Sequence, residues 1–263
     1  MSAGDLYLDR ASPLHRLDPR VKLAGVAALF AACLAFTHPA YVAALAACIL
    51  LLAGAARAFA NLWRMRLVLV LLLFFAGLLW SLFARGKTPL APGWPLLVTR
   101  ESALYGLGTG LRLATMVAAG LVFLSVTRVE EFSLALHRLG VPFVITFAFS
   151  TAFRLVPTLL VSAATVAEAQ RSRGLDLESG PVLSRLVRHF PLLVPVMVSS
   201  IRNIDLMAMA LESRGFRASP RRSSLLQLRM RARDWLALTL CVALAAGCIW
   251  LRMAGAGVIV GLR

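Results

Sequence analysis

The chain has 263 residues, 60% of them hydrophobic, and its mean hydropathy of +0.80 excludes an ordinary soluble domain, in which about half of the residues are apolar. Its net charge of +16 accompanies only 15% charged residues, which favours basic flanks beside anionic lipid over a nucleic-acid-binding surface. The four cysteines lie inside apolar runs, where a thiol behaves as a small hydrophobic group, so neither a disulfide framework nor a metal site is predicted.

Apolar runs long enough to cross a bilayer, which takes about 20 residues per helix, recur along the chain. They predict an all-α, polytopic membrane protein with about five transmembrane helices, at 22–37, 39–56, 67–84, 104–126 and 235–255. The polar N-terminus lacks the basic region and apolar core of a cleaved signal peptide, so the first run is expected to stay in the mature protein.

The basic residues of the short flanks set the predicted orientation. They precede the first run and follow the second, whereas the first connection, Thr37-His38-Pro39, has none. Because cytoplasmic loops carry the excess of Lys and Arg, the N-terminus is expected inside the cell. The third connection, near 85–103, contains Arg85, Lys87 and Arg100 and is a mild exception to this rule.

The region 127–234 differs from the rest, since it holds 15 of the 28 basic residues and eight acidic ones. It is predicted to be a cytoplasmic domain of amphipathic coupling helices, between residues 1–126 with the first four spans and residues 235–263 with the last. Two stretches inside it, 141–162 and 190–211, are apolar enough to cross. Crossing there would place several arginines outside, which the charge rule disfavours.

A pattern inside this region occurs twice: Ala-x-Ala-x-x-Ser-Arg-Gly-apolar, at 167–175 and again at 208–216. Each copy predicts a helix that ends at a glycine in the left-handed conformation, with the arginine in the last turn. The arginine could simply complement the helix dipole. Two matched copies instead suit a partner with two equivalent acidic grooves, because a guanidinium makes bidentate bonds to carboxylates.

Two further features lie within the predicted spans and their flanks. Arg112 is a possible functional residue because a charge inside a membrane is costly, although a structural hydrogen bond to a neighbouring helix would also explain it. Small residues at four-residue spacing in the same span predict close packing against another helix of this chain. They are Gly106, Gly110, Ala114 and Ala118.

The chain resembles the T component of energy-coupling factor transporters. Residues 12–23, with Asp18-Pro19-Arg20, are similar to the N-terminal signature of that family, and Phe153-Arg154-Leu-Val-Pro157 is similar to its Arg-x-x-Pro element. Residues Arg112, Thr127 and Leu139-Gly-Val-Pro142 also fall where similar proteins carry an Arg, a Thr and a Gly-x-Pro turn. The resemblance covers most of the chain.

This resemblance implies a multi-pass subunit of the bacterial inner membrane that catalyses nothing, carries no cofactor and couples two cytoplasmic ABC ATPase subunits to a membrane S component. The S component would bind a vitamin or a transition-metal ion. The two arginine motifs would insert into the ATPases. Their residues are Ser172, Arg173 and Gly174 in the first copy and Ser213, Arg214 and Gly215 in the second.

Other chemistries find little support in the sequence. Gly86-Lys87-Thr88 lacks the first glycine of a phosphate-binding loop, and the four histidines have no ligand spacing. A self-sufficient secondary transporter would usually carry an inverted repeat of its spans, and an intramembrane enzyme would need paired catalytic groups. The self-sufficient secondary transporter is the main alternative to the coupling subunit.

Overall fold

The computed structural model describes residues 12, 14–84, 99–175, 181–216, 230–255 and 257, without the side chains of residues 182–189. Nine helices occur in these ranges. They are α1 (Pro19–Ala35), α2 (Pro39–Ala55), α3 (Phe59–Arg64), α4 (Arg66–Phe83), α5 (Arg100–Val126), α6 (Val129–Arg138), α7 (Phe143–Ser172), α8 (Val182–Ser213) and α9 (Ala232–Met253).

Each of the five predicted spans is a helix, with ends within a few residues of the expected ones. Helix α1 begins directly after Asp18, since Pro19 is its first residue and the Asp18 side chain accepts a hydrogen bond from the backbone N–H of Arg20. The short helix α3 in the second connection was not predicted.

Five helices in the described ranges are long and apolar enough to cross a membrane: α4, α5, α7, α9 and the part of α8 at Phe190–Ser213. The number agrees with the prediction, but the membership differs. Helices α1 and α2 have only 17 residues each. Helices α7 and α8, which the charge rule kept out of the membrane, are long and apolar enough to enter it. By length and apolarity α7 and α8 could cross the membrane, whereas the charge rule places them in the cytoplasm. The cytoplasmic position of 127–234 therefore stays a prediction.

The chain folds as two compact units, of which the first comprises Met1–Leu139 with Leu228–Arg263 and the second Gly140–Gln227. The second unit overlaps the predicted coupling domain without coinciding with it, because α6 belongs to the first unit. The domain boundaries at 126 and 234 therefore remain predictions from composition.

In the first unit, α1 and α9 run in the same direction. The backbone N–H of Asp18, before α1, donates to the carboxylate of Asp234, in the first turn of α9, at 3.0 Å. At the other end, Arg252 of α9 donates to the carbonyl of Ala35. Helix α5 runs in the opposite direction, since Lys22 near the start of α1 donates to the carbonyl of Val126 at the end of α5.

The directions of α2 and α4 follow from their contacts with α5. Late residues of α2 and α5, such as Ile49 and Val122, share one buried cluster, so these two helices are parallel. Helix α4 is antiparallel to α5, because Gly106 lies against Gly77 whereas Gly110 lies against Leu73. Successive helices α1, α2, α4 and α5 thus alternate in direction, and α9 starts at the same end as α1.

The glycines of α5 are the reason that it packs so closely on α4. A Cβ atom added to Gly106 or Gly110 would overlap the backbone carbonyl oxygen of Gly77 or Leu73, respectively. This confirms the prediction that the small-residue positions pack helices of this chain against each other. Close backbone approach of this kind is a main source of helix association in membranes.

In the second unit, α7 and α8 pack against each other and are antiparallel. The ring of Phe216, just beyond α8, lies 4.6 Å from that of Phe147 and 6.1 Å from that of Phe143, both in the first two turns of α7. The end of α8 therefore lies beside the beginning of α7. If both helices crossed the bilayer, their C-terminal ends would emerge on opposite sides.

Substituting Gly110→Ala should destabilise the protein by about 1–3 kcal/mol, because the methyl group meets a backbone carbonyl that cannot rotate away. The matched control is Gly120→Ala on the same helix, where a Cβ meets nothing within 4 Å. The control should be neutral, or stabilising by up to about 1 kcal/mol from helix propensity. Thermal unfolding of the purified variants in detergent measures the difference; equal midpoints would contradict the packing argument.

The topology predicts where a reporter that is active only outside the cytoplasm will work. Fusions after Leu175 and after Arg222 should be inactive, and a fusion after Arg263 should be active; the last two positions lie outside the described residues. Activity after Leu175 would show that α7 crosses the bilayer. Inactivity after Arg263 combined with activity after Arg222 would reverse the whole orientation.

Candidate functional site

Both arginine motifs end their helices with the same hydrogen-bond pattern. At the end of α7 the N–H of Gly174 donates to the carbonyl of Arg171, and that of Leu175 donates to Gln170. At the end of α8 the N–H of Gly215 donates to Glu212, and that of Phe216 donates to Leu211. This pair of bonds defines the Schellman motif, so two segments 41 positions apart in the sequence share one backbone structure.

Glycine is required at both ends because the backbone turns left-handed there. The φ angle is +89° at Gly174 and +70° at Gly215, a region that residues with a Cβ atom rarely adopt. The predicted glycine termination is confirmed. Each arginine, however, is the C-cap residue and lies just past the last turn rather than inside it. Arg173 and Arg214 therefore project from the tips of the helices.

The chemistry of each tip depends mainly on its arginine. The hydroxyl of Ser172 donates to the carbonyl of Glu168, and that of Ser213 donates to Ala210, both at 3.0 Å, so the serines are bonded to their own helices. Arg173 and Arg214 are exposed, and their guanidinium groups have no hydrogen bond or ion pair within the described part of the chain. Each tip thus offers one free planar cation.

The two tips lie at opposite ends of the α7–α8 pair. Phe216, which follows the second tip, packs on Phe147 near the start of α7, whereas Arg173 follows the end of α7. At a rise of about 1.5 Å per residue, the 26 positions from Phe147 to Arg173 correspond to ~40 Å of helix.

The helices between the tips leave much of their apolar surface uncovered within their own unit. Ile201 and Ile204, which share one face of α8 at helical spacing, are 55% and 53% exposed. Arg202 and Asp205 on the opposite face are exposed as well. Several large side chains of α7 are also open, including Val144, Leu160 and Val161. A surface of this kind is typical of an interface with lipid or another membrane protein.

Arg112 lies in the middle of α5 in the first unit. Its Nε and Nη2 atoms are buried and have no hydrogen-bond partner among the described residues, and the same is true of the hydroxyl of Thr109, one turn earlier. The described residues therefore provide no structural hydrogen bond to these two nitrogens. Arg112 remains a candidate for an intramembrane role.

Sequence reasoning missed a polar cluster where α1 and α9 begin. Asp234 is 3% exposed, and its two carboxylate oxygens accept from the N–H groups of Asp18, at 3.0 Å, and Arg231, at 2.8 Å. The Lys22 side chain is 5% exposed and bonds to the carbonyls of His15 and Val126, at 3.1 Å each, and to Glu131, at 3.7 Å. One signal in the sequence could have indicated this cluster: Asp234 lies in the first turn of the last span, where an acidic residue is favoured.

Gly86-Lys87-Thr88 in the third connection lies outside the described residues. So does Arg217, which follows the second motif and which we expect to tolerate substitution by Ala far better than Arg173 or Arg214. In the ranges that the structure covers, no group of three or more His, Cys, Asp or Glu side chains is arranged to hold a metal ion.

Comparison with known proteins gives a consistent result over most of the chain. The family model CbiQ, described as a cobalt transport protein, matches residues 10–225. The energy-coupling factor transporter transmembrane protein EcfT of Thermosediminibacter oceani is 31% identical, over 94% of this chain and 96% of its own. The protein of the same name from Staphylococcus aureus is 30% identical, over 91% and 92%.

A third relative has a different architecture. A putative ABC transporter ATP-binding protein of Bifidobacterium longum is 29% identical over 85% of this chain, and the match takes up 30% of that protein. The family match and the apolar helices make this chain a multi-pass protein of the bacterial inner membrane. The chain belongs to the CbiQ family of cobalt transport proteins and is a transmembrane T component of an energy-coupling factor transporter.

Proposed function

We propose that this T component is the coupling subunit of its transporter, and that Arg173 and Arg214 dock its two helix tips into two cytoplasmic ATPases. Movement of the ATPases would then reach the membrane through α7 and α8. The observation that carries the proposal is the pair of identical helix ends, each presenting a free guanidinium. The chain itself is expected to catalyse nothing.

The separation of the tips supports two partners. Two equivalent grooves on a symmetric or pseudo-symmetric dimer lie about one domain diameter apart, which is ~30 Å or more. The ~40 Å of helix between Phe147 and Arg173 is of this size. An arginine fits an acidic groove because its planar fork makes two parallel bonds to one carboxylate.

The Bifidobacterium relative supports ATPases as the partners. A segment similar to this chain forms 30% of a polypeptide named as an ABC transporter ATP-binding protein. Covalent linkage in that protein would keep the similar segment close to an ATP-binding part. In the present system the ATPases are proposed to be separate cytoplasmic subunits that bind at the two tips.

The second partner in this proposal is a membrane S component that binds the substrate, a vitamin or a transition-metal ion. The uncovered apolar side chains of α7 and α8 offer it a contact surface, and the family description of a cobalt transport protein favours a metal ion. Recognition would reside on the S component, so this chain does not identify the substrate.

The proposal requires both tips to lie on the cytoplasmic side. Because α7 and α8 are antiparallel, a pair of full crossings would place Arg173 and Arg214 on opposite sides of the bilayer. Neither helix can then cross completely if both arginines contact ATPases. This requirement agrees with the charge distribution of residues 127–234. The reporter fusion after Leu175 tests it, because Leu175 must lie on the cytoplasmic side.

Single substitutions Arg173→Ala and Arg214→Ala should each weaken ATPase association, and the double variant should abolish uptake. Removing one member of a buried charge pair in an interface costs about 2–5 kcal/mol, which is ~30-fold or more in affinity. Lysine at either position should restore function only in part, since it lacks the planar fork. The measurements are co-purification of ATPases with the tagged chain and ATP-driven uptake.

The matched control is Arg202→Ala, which removes an equally exposed arginine from the middle of α8 and should leave both measurements near wild type. Membrane insertion of every variant is checked by quantifying the protein in isolated membranes. A double variant that inserts normally and supports wild-type uptake would reduce both arginines to helix caps.

A further inference from the structure

A cavity of about 770 Å³ lies inside the first unit, between α1, α2, α5 and α9. Its size is within the ~300–1,000 Å³ range of small-molecule sites. The walls are mostly apolar and include Leu29, Ile49, Val122 and Leu240. Nothing in the proposed coupling role uses this cavity.

The charged residues of the cavity are gathered at one end, where α1 and α9 begin and α5 ends. Arg16, Lys22, Arg231 and Arg233 lie there together with Asp234. The carboxylate of Asp234 accepts from two backbone N–H groups, and Lys22 is paired with Glu131. The three arginines are exposed, and no hydrogen bond or ion pair of their guanidinium groups occurs among the described residues. This mouth is therefore cationic.

The depth of the apolar part corresponds to one leaflet of a bilayer. Lining residues of α9 extend from Asp234 at the mouth to Leu244, ten positions further, which is ~15 Å of helix. Half of a ~30 Å hydrocarbon core has the same thickness. The basic mouth is at the N-terminal end of α1, the end that the charge rule places in the cytoplasm.

A buried hydroxyl near the cationic mouth has no hydrogen-bond partner among the described residues. Thr127 caps the end of α5, lines the cavity and is 5% exposed, and its Oγ1 atom has no hydrogen-bond partner in the described part of the chain. An unpaired buried hydroxyl costs about 1–3 kcal/mol, so such groups are normally satisfied. A ligand with acceptor oxygens at the mouth would satisfy this one.

We propose that this cavity holds one anionic phospholipid of the cytoplasmic leaflet. An acyl chain fills the apolar walls, the phosphate lies between Arg231, Arg233 and Arg16, and a phosphate or ester oxygen accepts from the hydroxyl of Thr127. Basic pockets between transmembrane helices on the cytoplasmic side are suited to such head groups. A free anion would leave the apolar depth unfilled, and a neutral lipid would not use the arginines.

The test measures phosphatidylglycerol and phosphatidylcholine with the same acyl chains, retained by the full-length chain in detergent, by native mass spectrometry. Wild type should retain one phosphatidylglycerol in preference to phosphatidylcholine. The variant Arg231→Gln with Arg233→Gln should bind it about 30-fold more weakly, since each charge near an anionic lipid contributes roughly fivefold. Inorganic phosphate at the same concentration should not compete.

The matched control is Arg64→Gln with Arg66→Gln. It removes two exposed arginines, one at the end of α3 and one at the start of α4, outside the cavity lining, and should retain the lipid as wild type does. The variant Thr127→Val adds an independent readout. It should weaken lipid binding severalfold, while the lipid-free protein should unfold at the same or a higher temperature because an unpaired buried hydroxyl is gone.

The proposal would be overturned by equal retention of the two lipids, by unchanged binding in the Arg231/Arg233 variant, or by an equal loss in the Arg64/Arg66 control. Two further results would overturn it in favour of another occupant. Lipid binding that arises only after residues 2–10 are deleted would mean that the chain's own N-terminal segment occupies the cavity. Competition by inorganic phosphate would indicate an anion site without an acyl chain.

Discussion

The buried carboxylate of Asp234 is the constraint on which the arrangement of the first unit depends. A carboxylate removed from water needs hydrogen-bond donors, and here it takes one from the start of its own helix and one from Asp18, 216 positions earlier in the chain. Lys22, one turn into α1, is equally buried and is satisfied by carbonyls and by Glu131. These bonds hold the first and last helices at a common level, so α1 and α9 begin on the same side and run in parallel.

The hydrogen bonds of Asp234 and Lys22 also fix where α5 ends and α9 begins. Since α5 ends beside Lys22 and α9 begins beside Asp18, the C-terminal end of α5 and the N-terminal end of α9 lie at the same end of the first unit. The two long helices of the second unit, α7 and α8, expose many apolar side chains, and so do α4 and α9 of the first unit. Apolar exposure alone therefore does not distinguish the two units.

The two cationic regions of the molecule differ in the chemistry that surrounds them. Arg173 and Arg214 are the C-cap residues of two glycine-terminated helix ends, an arrangement suited to insertion into a protein groove. Arg231 and Arg233 border an apolar cavity about as deep as one bilayer leaflet, an arrangement suited to a lipid head group. Net positive charge alone, visible in the composition, does not distinguish these uses, because the distinction depends on what lies next to each guanidinium.

The sequence by itself determined the five apolar helices at the predicted spans and the glycine ends of the two arginine motifs, because long apolar runs and helix-ending glycine are local signals. It also assigned the family, through motifs read in linear order. The tertiary structure decided the parallel pairing of α1 with α9, the cavity between four helices and the unpaired hydroxyl of Thr127. It also revealed that α7 and α8 are antiparallel, which places the two tips far apart. Each of these depends on contacts between residues distant in the chain, which local patterns do not encode.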